Sequence, residues 1–296
     1  DFYYGGLIGK PYSATGEGKL IINGKQYVST ASELQSALNA ATEGETTIFL
    51  GADIVGDVTE IQKPGRKVTI VGCDNKYNGT IKIHANSYYY ADASLTIKNV
   101  NFETSSASIN VIEALENGSE RYSSNITVED CTFTASGAAV NTSVGVQVKA
   151  TRGVTVKNCT ATNMHSLIQA QSCDTGDIKV VGCTVNGKNG VAFKQVKAAV
   201  VEGGTITAAE YGIRFDGNID NYGITINGVN VTAKQPVIVR KMTGANNTIA
   251  FEGTNTLKPK TDGDYDVVIT NGSDDAEYVI VAFGSSSRIC SATVEM

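Results

Sequence analysis

Lys194, Arg214 and Arg240 fall on one face of successive segments of the chain, with Lys149 earlier in the same series and Asp216 two residues after Arg214. Cations repeated at one spacing can hold an acidic sugar chain, Arg gripping a carboxylate through two parallel hydrogen bonds. The same groups bear on β-elimination, in which a cation neutralises the uronate carboxylate and a base removes the adjacent proton. Gln169 and Gln171 occupy equivalent places and add amides that could read hydroxyls. We therefore take Lys149, Gln169, Gln171, Lys194, Arg214, Asp216 and Arg240 as candidate ligand-binding residues. Lys194, Arg214 and Arg240 are the candidates for catalysis. The competing reading is a solvated sheet face, with long basic side chains guarding it from aggregation and Asp216 pairing with Lys194 or Arg214.

These residues lie on short segments that alternate apolar and polar positions, the period of a strand. The segments are GVQVK (145–149), LIQAQ (167–171), GVAFK (190–194), GIRFD (212–216) and PVIVR (236–240). Alternation points Val146 and Val148, Ile168 and Ala170, Val191 and Phe193, Ile213 and Phe215, and Val237 and Val239 inward. The outward pairs are Gln147 and Lys149, Gln169 and Gln171, Ala192 and Lys194, Arg214 and Asp216, and Ile238 and Arg240.

A second pattern precedes these strands: apolar, any, apolar, any, Asn/Asp/Gly, small or apolar, Asn/Thr, apolar. It reads LTIKNVNF (95–102), ITVEDCTF (126–133), VTVKNCTA (154–161), IKVVGCTV (178–185), AVVEGGTI (199–206) and ITINGVNV (224–231). VTIVGCDN (68–75) and IAFEGTNT (249–256) are degenerate copies. The sixth positions, from Cys73 to Thr254, are 21 to 31 residues apart, too close for a strand–helix–strand unit. One coil of a β-solenoid fits. The expected fold is all-β: a right-handed, single-stranded parallel β-helix with an N-terminal amphipathic capping helix. Stacking should place Cys131, Cys159 and Cys183 in an interior column and Asn99, Asp130 and Asn158 in a hydrogen-bonded bend column.

Thr30 and Glu33 have the spacing of a capping box, and Leu34, Ala37, Leu38 and Ala41 share one helical face. A helix over 30–42, stopped by Gly44, should cover the open end of the core, with the first strand at 46–54. We read residues 1–296 as one domain, with a cap at about 20–45, coils at about 46–260 and an irregular end at 261–296. In that end, 264–272 and 277–284 read as strands, either final coils or a small antiparallel cap.

At this point the sequence resembles the pectate lyase-like superfamily of parallel β-helices, over roughly residues 20–260. The resemblance rests on the SELQSALNAA helix, the following TIFLGADI strand and the VKNC and VEDC coils. It implies the fold and a range of roles, from polysaccharide lyases, hydrolases and esterases to tailspikes, adhesins and noncatalytic surface proteins. The polygalacturonase-like Asn-Thr-Asp, Asp-Asp and Gly-His-Gly motifs are missing from the coils, and Asp274 and Asp275 lie outside them. The calcium-binding acidic cluster followed by Arg-x-Pro-x-x-Arg is also unmatched; Lys234, Pro236 and Arg240 echo it only in part.

The net charge of −6 argues against nucleic acid as a partner, and no apolar run approaches the ~20 residues that span a bilayer. Six cysteines lack any CxxC pair, so no zinc site is expected. No cofactor is expected; calcium at Asp262, Asp264, Asp266, Asp274 and Asp275 is the one ion left open, without the ordered ligand spacing of a calcium loop. His84 and His165 lack a Ser or Cys partner recognisable by motif. Tyr88, Tyr89 and Tyr90 either stack on sugars or pack on the solenoid flank. The resulting expectation is a secreted or cell-surface bacterial protein that binds a polysaccharide or cell-surface glycan, or serves as an extracellular scaffold or adhesin module, without demonstrable catalysis. The alternative is a lyase acting on uronate-containing glycan.

Overall fold

The computed structural model describes residues 20–22, 25–85, 90–115, 123–173, 177–216, 223–240, 248–259, 267–270, 278–281 and 288–295, with side chains described from Tyr27 to Lys258 except Val239, Arg240 and Thr248. The chain winds into a parallel β-solenoid of about eight turns. Among the described residues its strands form two sheets. The larger joins the two arms of the repeat pattern, and the smaller, of ten strands, carries the face segments.

The bend in these coils is left-handed at the Asn/Asp/Gly position. Asn99, Asp130 and Asn158 have φ of 53°, 53° and 52°, and later coils use Gly182, Gly203, Gly228 and Gly253 there. Asn and Asp tolerate this conformation and glycine adopts it freely. Asn158 Nδ2 donates to Asp130 Oδ1 at 3.2 Å, one step of the expected bend column. After the bend the chain turns inward, and Cys131, Cys159 and Cys183 are buried free thiols. Hydrogen bonding to Cys131 and burial push the Cys159 thiol up to about 12. Phe102 and Phe133 then stack at 5.0 Å, and Phe193 and Phe215 at 5.0 Å in the face sheet. Outside, Thr132, Thr160, Thr184 and Thr205 are register partners, β-branched residues suited to an exposed pleat.

The helix runs Ala31–Ala40, capped by Thr30 Oγ1, which accepts from Glu33 N at 3.1 Å. Glu33 reaches back to Ser29 N–H, one residue before the N-cap. Leu34, Ala37 and Leu38 are buried beneath it, as the periodicity requires. The coils start earlier than expected, however. The strand Lys25–Val28 pairs in parallel with Gly44–Leu50, so the helix interrupts the first coil instead of preceding it. The four-residue strand is too short to show a period in the sequence. The other end is mixed: Val267–Thr270 continues the parallel face sheet, while Tyr278–Val281 and Arg288–Glu295 pair antiparallel. The aspartates of the possible calcium cluster lie outside the described residues.

Candidate functional site

Register fixes the outer face. Lys149, Gln171, Lys194, Asp216 and Arg240 are consecutive partners in one row. Gln147, Gln169, Ala192, Arg214 and Ile238 form the row beside it. Arg214 is therefore in a different row from Lys194 and Arg240, two residues away along the strand. The Arg240 backbone holds its register, and its side chain is outside the description.

A corner raises a wall along this face. Gly145, Leu167, Gly190, Gly212 and Pro236 stand at equivalent positions one residue before the inward row. A Cβ on Gly190 would lie 2.1 Å from Gly212 O, and one on Gly212 2.6 Å from Pro236 O. Only glycine lets the coils approach that closely there. The preceding residues, Ser166, Asn189 and Tyr211, are thereby packed into the corner, all three buried. His165 and Glu210 stand one residue further back. At the other end of the face strands Ala150, Ser172 and Gln195 take φ of 51°, 53° and 53°, a second left-handed row that their residue types do not announce.

Floor and wall enclose a cleft of about 300 Å³, lined by Gln147, Gln169, Gln171, Ala192, Lys194, Arg214 and Asp216 from the face and by His165, Asn189, Glu210 and Tyr211 from the corner. Ala192 makes the depression, a methyl between Gln169 and Arg214 in its row. Arg214 is not free. Its Nε and Nη2 reach Asp216 Oδ2 at 2.8 and 2.5 Å, and its guanidinium lies 5.4 Å from the Tyr211 ring centroid. Burial opposes the Arg214 charge, but Asp216 more than restores it and the pKa is raised. Burial also pushes the Tyr211 phenol up, against Arg214 and Ser166. Lys194 is exposed. On the rim Lys188 Nζ lies 3.6 Å from Glu210 Oε1.

His165 is the residue that motif reading missed. Its Nδ1 lies 2.9 Å from Gln169 Nε2 and 3.1 Å from Ser166 Oγ, and its Nε2 lies 3.2 Å from Asn189 Nδ2. Burial, then Lys188, lower its pKa against the pull of Glu210, so the ring is neutral at pH 7. Ser166 is fully buried, and among the described residues no carboxylate is hydrogen-bonded to the ring, which argues against a nucleophile–base pair. The signal available in sequence was the polar pair before each face segment: His165 and Ser166, Lys188 and Asn189, Glu210 and Tyr211. Of the candidates, the cleft gathers Gln169, Gln171, Lys194, Arg214 and Asp216; Lys149, on the same strand as the lining residue Gln147, stands outside the lining. His84 sits three strands away in the same sheet, and Tyr88 and Tyr89 are outside the described residues. No protein-family model matches the chain, and no curated protein matches it.

Proposed function

We propose that the protein binds a glycan chain in this cleft as a noncatalytic recognition or scaffold protein of the secreted or cell-surface kind. One observation carries the reading: four amides, Gln147, Gln169, Gln171 and Asn189, converge beside the Tyr211 ring and the Arg214–Asp216 pair. A planar amide presents donor and acceptor together, which matches neighbouring sugar hydroxyls, and an aromatic ring covers the C–H face of a sugar. Two cations and two acids line the site, so its charge is balanced, as suits a hydroxyl-rich ligand. Elimination is disfavoured because Arg214 is engaged by Asp216, Lys194 is exposed, and both ring nitrogens of His165 are occupied. Kinship with pectate lyase-like proteins would agree with a polysaccharide ligand.

The test is a glycan array beside an assay for unsaturated-uronate absorbance. We expect binding without absorbance change, and loss of more than roughly tenfold in affinity for Ala192→Trp, which fills the depression. Steady growth of absorbance would replace this reading with the lyase; no glycan bound by the wild type would remove both.

A further inference from the structure

Asn189 is 1% exposed and stands in the cleft wall, yet only one end of its amide has a partner. Nδ2 faces His165 Nε2, while the buried Oδ1 has none. A buried amide atom left unpaired is costly, so a ligand atom that pairs with it is favoured.

The proton count around His165 decides what the ligand atom must be. Gln169 and Asn189 each turn an amide nitrogen to the ring, one to each ring nitrogen. A neutral imidazole has one N–H and one lone pair and accepts from only one of them. One amide must therefore offer its oxygen instead. If Gln169 keeps the shorter contact, Nε2–H donates to the Asn189 oxygen, and the Asn189 NH2 occupies the unpaired position. If Asn189 donates, its oxygen stays there and Nδ1–H is shared between Ser166 and a turned Gln169. The unpaired atom is a donor in one arrangement and an acceptor in the other. A hydroxyl satisfies both; a carboxylate satisfies only the donor.

We propose that His165 biases the ligand group at Asn189: a neutral ring leaves a position that a sugar hydroxyl fits in either arrangement, and a doubly protonated ring fixes a donor there that favours a carboxylate. This rests on the glycan-binding reading. An imidazolium donates from both nitrogens, so both amides turn their oxygens inward and Asn189 shows the cleft only N–H. The new charge joins Lys194 and Arg214 on the same cleft. The charged groups facing the ring are Lys188 and Glu210 of the neighbouring corners, themselves 3.6 Å apart, and neither makes a hydrogen bond to it. Burial and Lys188 keep the neutral form dominant at pH 7 and place the change on the acid side.

The experiment reads an array of neutral oligosaccharides and their uronate counterparts at about pH 7.5 and about pH 5, where uronates stay ionised. In the wild type the uronate-to-neutral ratio should rise by roughly tenfold or more on acidification. In His165→Gln it should not change with pH, and in Asn189→Ala the neutral preference should be lost. A ratio that stays constant in the wild type, or that rises equally in His165→Gln, overturns the proposal. Failure of every glycan to bind at both pH values overturns the ligand class and the proposal with it. A ligand-free measurement tells the two failures apart. The side-chain amide NMR signals of Asn189 and Gln169 should shift with the His165 titration; signals that stay fixed overturn the switch even where glycans bind.

Discussion

Gln35 on the capping helix forms two hydrogen bonds with one residue of the face sheet: its Oε1 accepts from Thr59 N at 2.7 Å, and its Nε2 donates to Thr59 O at 2.9 Å. Thr59 lies on Val58–Gln62, the strand at the end of the sheet that carries the cleft. The helix thus covers the core with Leu34 and Leu38 and also satisfies the edge of the sheet with Gln35. An open edge is a template for another chain. Gln35→Ala should cost about 1 kcal/mol and bring concentration-dependent end-to-end association in light scattering. Leu38→Asp, which buries a charge, should aggregate outright. Monomeric variants with unchanged melting temperature would show that the helix does not guard this edge.

Beneath the same helix Arg66 and Glu60 form an ion pair at 3.0 Å, with side chains 2% and 1% exposed. Arg66 also donates to Leu38 O at the end of the helix and to Ile61 O. Burial raises the Glu60 pKa from 4.5 to about 7, against the pull of Arg66 and Lys63. The folded state therefore holds this proton more tightly than the unfolded chain. The stabilisation is complete below about pH 4.5 and is lost as pH rises through about 7. Its size is at most roughly 3 kcal/mol. Calorimetry from about pH 5 to about pH 8 should show the melting temperature falling, and Glu60→Gln should flatten that slope. Arg66→Met should destabilise most above about pH 7, by about 3 kcal/mol or more, because there it strands an ionised buried carboxylate as well as two carbonyls. A slope unchanged in Glu60→Gln would assign the dependence elsewhere.

The thiol column gives a third expectation. Cys131, Cys159 and Cys183 are at most 3% exposed, and each sulfur contacts the carbonyl two residues before it. With the Cys159 and Cys183 thiols raised, the reactive thiolate is scarce as well as inaccessible. Native protein should not label at these positions with a thiol reagent, and Cys159→Ala should cost about 1 kcal/mol for its small cavity. Rapid native labelling of all three would place the column outside the core.

The coils were legible because two constraints repeat. The bend needs Asn, Asp or Gly, and the strands alternate, so Asp130 and Asn158, or Val146 and Ile168, announce their places by type and spacing. The outward direction of Gln169, Lys194 and Asp216 followed from the same alternation. What did not show was the corner. Asn189 and Tyr211 are placed by the coil approach that Gly190 and Gly212 permit, and His165 enters the cleft from outside the alternating segment. The left-handed Ala150 and Gln195 were equally silent, since hydrogen bonds such as Ala150 N to Gln171 O hold a conformation those residues do not favour. Ile238 shows the limit of alternation itself: it points outward yet is 8% exposed, covered with Tyr211.

Arg214 points outward, yet its surroundings tie it to the fold. Its side chain is 29% exposed and that of Asp216 only 14%. Arg214→Ala would leave a mostly buried carboxylate without its guanidinium and remove the cation above Tyr211. It should cost about 1–2 kcal/mol of stability. Arg214→Ala with Asp216→Ala should recover part of that loss, since the mostly buried charge goes too, and the double-mutant cycle measures the coupling. Binding should move the other way in Asp216→Asn, which keeps the volume and releases the guanidinium. Affinity for uronate oligosaccharides should rise several-fold and become more sensitive to salt, while affinity for neutral ones changes little. Equal effects on neutral and uronate ligands in a calorimetric titration would mean that Arg214 does not face the bound chain.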